Sequence, residues 1–199
     1  QRHTEKHADA NRRPAAEATS RFCDAAGCSR LILAGTGENM ARFREFLPSP
    51  LRQAVVGTMS LDANAPGSAV VERSREILSD LEEQRELGLV DRLITLHHAN
   101  GPAAIGLADT LFVLQEGRVL TLLVEDGLAA PGIVCPDCDY LTVNEAERCL
   151  FCGTANARPV RNIVERAVHK AFQQGARVEV VRSGTALGTV GQIGALLRY

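Results

Sequence analysis

The stretch CPDCDYLTVNEAERCLFC, residues 135–152, sets two Cys-x2-Cys pairs ten residues apart. Thiolates in such pairs match a tetrahedral zinc site in which each sulfur stands about 2.3 Å from the metal. Cys135, Cys138, Cys149 and Cys152 are therefore the candidate ligands. Pro136 and Asp137 inside the first turn, and Gly153 just after the second, are residue types that such turns favour. Four thiolates close the coordination shell and leave no position for an activated water, so the expected ion is a structural clip and not a catalyst. Reduced surface thiols or a redox pair are the competing readings of the same residues. In a secreted protein the six cysteines could instead form three disulfides, but the start QRHTEKHADANRR is too polar for a signal peptide. Cys23 and Cys28, at x4 spacing near the end of a helical pattern, read as small buried hydrophobes.

Composition narrows the classes that such a clip can serve. The 199 residues are 45% hydrophobic and 23% charged, which suits one large or two small globular domains. With 22 basic and 24 acidic residues there is no global attraction to nucleic acid, so any such contact needs a local patch. Aromatic residues make up 4% of the chain, with no Trp, which disfavours a platform for stacking bases. No apolar run approaches the roughly 20 residues that span a bilayer, so a cytoplasmic protein without a membrane partner is expected. A first residue of Gln in place of Met leads us to expect a fragment or a processed product.

Around these residues the chain alternates helices and strands. Residues 1–27 read as a helix ending on Gly27, followed by a buried strand, RLILA, at 30–34. A short helix ends at LPSP, residues 47–50. The polar run SLDANAPGS at 60–68 marks a boundary, and a long helix spans 68–87 with Val70, Ile77, Leu78 and Leu81 on one face. A helix at 102–116, a strand at 119–124, a helix at 160–174 and a strand at 177–181 follow. The alternation predicts a largely parallel sheet covered on both faces, with the cysteines inserted in a strand-to-helix connection and therefore at the surface. Glycines at 184, 188, 191 and 194 predict a loop before a last apolar strand.

Several stretches, in this order, resemble the C-terminal part of the archaeal and eukaryotic class-1 peptide-chain release factors and their ribosome-rescue relative Pelota. They are LILAG at 31–35 after a helix bearing Arg2-His3, EILSDLEEQRELGLV at 76–90, LADTLFVLQEGRVLTLLV at 107–124 and GQIGALLRY at 191–199. A four-cysteine knuckle in this region also occurs in archaeal members. The resemblance implies that residues 1–57 are the C-terminal end of an α/β central domain. It makes 58–199 a third domain, an α-β-α sandwich of the ribosomal-L7Ae type with a zinc knuckle inserted at 133–155. In the family the third domain binds a translational GTPase, and a Gly-Gly-Gln loop of the central domain promotes peptidyl-tRNA hydrolysis. These residues contain no Gly-Gly-Gln, since Gly191-Gln192 follows Val190, so no catalytic residue is assigned. The implied role is translation termination or rescue of stalled ribosomes, with the ribosome and tRNA as partners.

Two basic groups are candidate contacts in that setting. Arg158, Arg161, Arg166, His169 and Lys170, beside the knuckle, suit phosphates or an acidic partner, the bland reading being a solvated helix face. Arg2, His3, Lys6, Arg12 and Arg13, on the first helix, suit tRNA. Gly35-Thr36-Gly37 after a strand begins a dinucleotide fingerprint, but Met40 stands where its third glycine belongs. His97-His98 has no carboxylate or cysteine at metal spacing beside it. A small hydrolase or nuclease, and a stand-alone RNA-binding module of the L7Ae type, are the rival functions. Asp9, Glu17, Asp24, Glu38 and Glu45 share no motif, and no RNA-reading loop is identifiable.

Overall fold

The computed structural model describes residues 2–62, 64–144 and 147–199, with side chains described from residue 11 onward. It divides into two compact units, Gln1–Leu81 and Glu82–Tyr199.

The first unit opens with α1, Arg2–Ala26, which ends on Gly27 at φ 65, the left-handed geometry that a helix terminus favours in glycine. Strand β1, Leu31–Ala34, follows, then α2, Gly37–Phe46, and α3, Ser49–Gln53, before β2, Val55–Met59. The two strands pair in parallel, Leu33 opposite Thr58. Ala16 and Cys23, seven residues apart on α1, close onto Leu33, Met40, Leu47 and Leu51 in one small core, with Cys28 packed against it. Met40, the residue that breaks the glycine fingerprint, thus serves packing. Gly57 lies under Ile77 so closely that a Cβ there would sit 2.6 Å from that side chain.

Helix α4, Gly67–His98, carries the chain from one unit into the next. It outruns the expected end at residue 87 because Leu89, Val90, Leu93, Ile94 and Leu96 continue its apolar spacing. The expected helix at 102–116 is instead a strand, β3, Ala103–Ile105, and a helix, α5, Leu107–Gln115, hinged at Gly106. Then come β4, Val119–Glu125, and three very short strands: β5, Gly132–Val134, β6, Leu141–Thr142, and β7, Arg158–Val160. Helix α6, Ile163–Gln173, strand β8, Arg177–Val181, a 3-10 turn at Ala186–Val190 and β9, Ile193–Leu197, complete the chain.

The main sheet of this unit runs β3-β9-β4-β8. Only β4 and β8 pair in parallel; β9 lies antiparallel to both β3 and β4. The expectation of a largely parallel sheet is therefore corrected: alternation of elements does not reveal that the last strand returns between the first and second. Pleating sends Leu123, Val181 and Leu196 to one face, against Val90 and Leu93 of α4. Leu122, Val124, Ile193, Ala195 and Leu197 face the other way, against α5 and α6. Gly194 of β9 is required by this packing, since a Cβ there would lie 2.6 Å from Leu93 and 2.9 Å from the carbonyl oxygen of Ala104.

Candidate metal centre

Between β4 and α6, strands β5, β6 and β7 form an antiparallel sheet in the order β6-β5-β7. Strands of two or three residues cannot hold themselves together. Leu141, fully buried, and Val134, Val143 and Val160 anchor this sheet to the core shared with α6.

The cysteines follow β5 and β6 in two turns built alike. In the first, the Cys135 N–H donates to the Tyr140 carbonyl at 2.9 Å; in the second, the Cys149 N–H donates to the Thr154 carbonyl at 2.7 Å. Each turn reverses on a left-handed residue just after its second cysteine, Asp139 at φ 53 and Gly153 at φ 75. The sulfurs converge, with Cys135 and Cys152 3.7 Å apart and Cys138 and Cys149 3.6 Å apart. All four ligand atoms lie within 4.8 Å of one another. A disulfide would require about 2.05 Å. A tetrahedron with corners about 2.3 Å from its centre has edges of about 3.8 Å, so the spacing fits four thiolates around one cation.

The sulfurs differ in their readiness to ionise. Burial opposes ionisation of Cys149, but main-chain N–H groups of Cys152 and Phe151 and the neighbouring thiols outweigh it and bring the pKa to about 7. The Phe151 N–H stands 3.4 Å from that sulfur. Burial pushes Cys138 up to about 12, with the other thiols adding to the effect. Hydrogen bonds from Thr154 and Asn156, with Arg158 nearby, hold the Asp137 carboxyl below the usual carboxylate range and tie the first turn to the second. The Asn156 amide donates to Asp137 at 3.0 Å.

A lysine fixes the knuckle to the domain. Lys170 of α6 is 8% exposed and donates to Gln115 Oε1 of α5 at 2.5 Å and to the main-chain carbonyl of Asp139. Its Nζ lies 3.5 Å from an Asp139 carboxylate oxygen. Lys170 is thus separated from the surface arginines with which the sequence grouped it. Arg158, Arg161, Arg166 and His169 are exposed, with Arg166 and His169 one turn apart on α6 and Arg158 on β7. His169 also contacts Gln173 at 3.0 Å. The latch was missed, although Lys170, seven residues after Ile163 and three after Ala167, lies on the buried face that Ile163, Ala167 and Ala171 form.

The other candidates are dispersed. Arg12 is half-buried and donates to Asn39 at 2.9 Å, and Arg13 is exposed on α1. Arg2, His3 and Lys6 lie on the first turns of α1, outside the residues whose side chains are described. His97 and His98 meet edge to face at the exposed end of α4, their ring centroids 6.0 Å apart.

Comparison with known proteins gives concordant results. The family model described as bacterial archaeo-eukaryotic release factor family 10 matches residues 1–78. Peptide chain release factor subunit 1 of Archaeoglobus fulgidus is 27% identical over 172 residues, covering 78% of this chain and 42% of the relative. The chain thus spans about two fifths of that protein's length. Among solved structures, a model of ribosome-bound archaeal Pelota and ABCE1 matches with TM-score 0.57 and 22% identity over 94% of this chain and 48% of the other. Dom34 of S. cerevisiae, described as a translation termination-like factor interacting with Hbs1, matches with TM-score 0.52 and 13% identity over 86% of this chain and 47% of its own. At these identities the two structures speak for the fold alone.

Proposed function

We propose, from a chain related to the C-terminal region of the archaeal-type release factors and Pelota, that it supplies the ribosome- and partner-docking part of a release-factor-like protein. The process served is translation termination or the rescue of stalled ribosomes, in the cytoplasm. The observation that carries the reading is the 172-residue match to a release factor subunit, running through both units. In this reading residues 1–57 close a central domain and 58–199 form a third domain, an L7Ae-type sandwich. The layering of α4, sheet, and α5 with α6 supports that assignment.

Cys135, Cys138, Cys149 and Cys152 hold one zinc ion in this reading. The sulfur separations and the paired turns support it. Bound there, zinc supplies four-coordinate cross-linking of the loop, with no ligand position left for substrate. The chain's own contribution is docking and not bond-making.

Arg158, Arg161, Arg166 and His169 offer the knuckle-side contact for phosphates or an acidic partner surface. Lys170 acts from inside, holding the knuckle on α5 and α6. Arg2, His3, Lys6, Arg12 and Arg13 of α1 offer the contact for tRNA. A translational GTPase is the proposed protein partner, by extension from Dom34 and Hbs1. Co-sedimentation of the chain with ribosomes across a salt series tests the docking surface. Arg161→Glu with Arg166→Glu is expected to weaken co-sedimentation and flatten its salt dependence. Binding and salt slope left intact would refute the surface.

A further inference from the structure

The four sulfurs of the knuckle differ in access. Cys135 is 1% exposed and Cys149 6%, whereas Cys138 is half-buried and Cys152 is open to solvent. The close contacts run from one turn to the other, and each joins an accessible sulfur to a buried one. Cys152 stands 3.7 Å from Cys135, and Cys138 stands 3.6 Å from Cys149. No cysteine belongs to both contacts, so both pairs can close in the same molecule.

The main chain holds these sulfurs together by bonds in which no metal takes part. The Cys135 N–H is bonded to the Tyr140 carbonyl, the Cys149 N–H to the Thr154 carbonyl, and the Asn156 amide ties the second turn to Asp137 of the first. Closing either pair to the about 2.05 Å of a disulfide then calls for side-chain movement within turns that are already built. Oxidation of thiols favours accessible sulfurs, and a resolving thiol beside each one stops the reaction at the reversible stage.

We propose that the knuckle is a reversible, peroxide-responsive site in which Cys152 and Cys138 are oxidised first and are resolved across the turns by Cys135 and Cys149. The Cys152 sulfur attacks one peroxide oxygen, the O–O bond breaks, and a sulfenic acid forms as one water leaves with the thiol proton. The Cys135 sulfur then attacks that sulfur; the S–S bond forms, the S–O bond breaks, and a second water leaves with the Cys135 proton. Two thiols are oxidised by two electrons and one peroxide is reduced to two waters. A second peroxide does the same at Cys138 and Cys149. With both bridges made, no thiolate is left to ligate a metal, yet the two turns remain joined. In a reducing compartment such bridges are transient and act as signals, and a thiol reductant restores the four cysteines. The proposal adds regulation to the metal reading of the same site and rests on that reading for the release of metal.

The test adds hydrogen peroxide to the intact chain after its zinc has been measured by atomic emission. A chromogenic chelator follows zinc release, and mass spectrometry maps the bridges after proteolysis. Cleavage after Arg148 separates the two turns, cleavage before Asp137 separates Cys135 from Cys138, and cleavage after Phe151 separates Cys149 from Cys152. Loss of the zinc is expected together with Cys135–Cys152 and Cys138–Cys149 bridges, and dithiothreitol should return all four thiols. A brief pulse with dimedone present should tag Cys152 and Cys138 at least about tenfold more than Cys135 and Cys149. Cys152→Ala should still form the Cys138–Cys149 bridge and leave Cys135 free. Zinc absent from the outset would count against the metal reading alone, and the same bridges are then expected in the metal-free chain. Bridges within a turn, a Cys135–Cys149 bridge, sulfinic acid in place of bridges, tagging of the buried sulfurs, or four thiols that stay free overturns the proposal.

Discussion

The ammonium of Lys170, buried on α6, donates to the main-chain carbonyl of Asp139, the left-handed residue that turns the chain after Cys138. One lysine therefore joins α5, α6 and the first cysteine turn. Lys170→Met would leave the Asp139 carbonyl and the Gln115 side chain without this donor. A hydrogen bond to a charged group contributes about 1.5–3 kcal/mol, so the second unit should lose about that much. Its melting midpoint should fall by about 5–10 °C. Calorimetry checks this, and hydrogen exchange should show the Cys135 amide, bonded to Tyr140, opening first. An unchanged midpoint would mean that the latch contributes nothing net.

The metal reading makes a separate prediction. The purified chain should carry one zinc ion per molecule, measured by atomic emission. Cys135→Ser or Cys149→Ser should lose it and lower the midpoint of the second unit. Chelation should do the same to the wild type, in line with metal binding that is coupled to folding. A metal-free chain with an unaltered midpoint would return the cysteines to ordinary thiols.

Gly153 and Asp139 occupy equivalent places in the two turns, and only one of them bears a Cβ. Gly153→Ala, at φ 75, should cost about 1–2 kcal/mol from left-handed strain, although open space surrounds that position. Denaturant titration in the presence of zinc measures the cost. A neutral result would show that the second turn relaxes to another backbone conformation.

Gly194 and Leu93 should couple. Gly194→Ala drives a Cβ to 2.6 Å from the Leu93 side chain and should cost about 1–3 kcal/mol. Leu93→Ala alone, at a fully buried site, should cost about 2–5 kcal/mol. Together they should cost clearly less than the sum, because the second change clears space for the first. Additive losses in the double-mutant cycle would place the strain at the Ala104 carbonyl instead.

What could be read in advance was what is local. Helix α1 with its Gly27 terminus, β1, β4, α6 and β8 each follow from period or punctuation within a dozen or so residues. The cysteine set was legible because ligand spacing is itself local. Strand β3 escaped notice because Ala103-Ala104-Ile105 is only three residues long and is apolar without alternation. Its strand character comes from β9, some ninety residues on in the chain, a tertiary effect that overrides weak propensity. Strands β5, β6 and β7 are too short to carry a pattern. The Lys170 latch depends on a carbonyl 31 residues away, a relation that side-chain type does not encode. Parallel or antiparallel pairing is likewise a property of the assembled sheet.

The place of the knuckle in the chain bears on how the sheet assembles in time. Strands β4 and β8 are neighbours, yet the chain leaves one at Glu125 and enters the other only at Arg177. Before they meet, the whole insertion is a loop to be closed. Cross-linking Cys135 to Cys152 shortens that loop, but closure entropy grows only with the logarithm of length, so the saving is a few tenths of a kcal/mol. A metal there would hardly change the rate at which β4 finds β8. Its influence should fall on the escape rate, through a small sheet too short to persist unaided. Chain lacking the metal would then refold at nearly the normal speed and shed its insertion far more often.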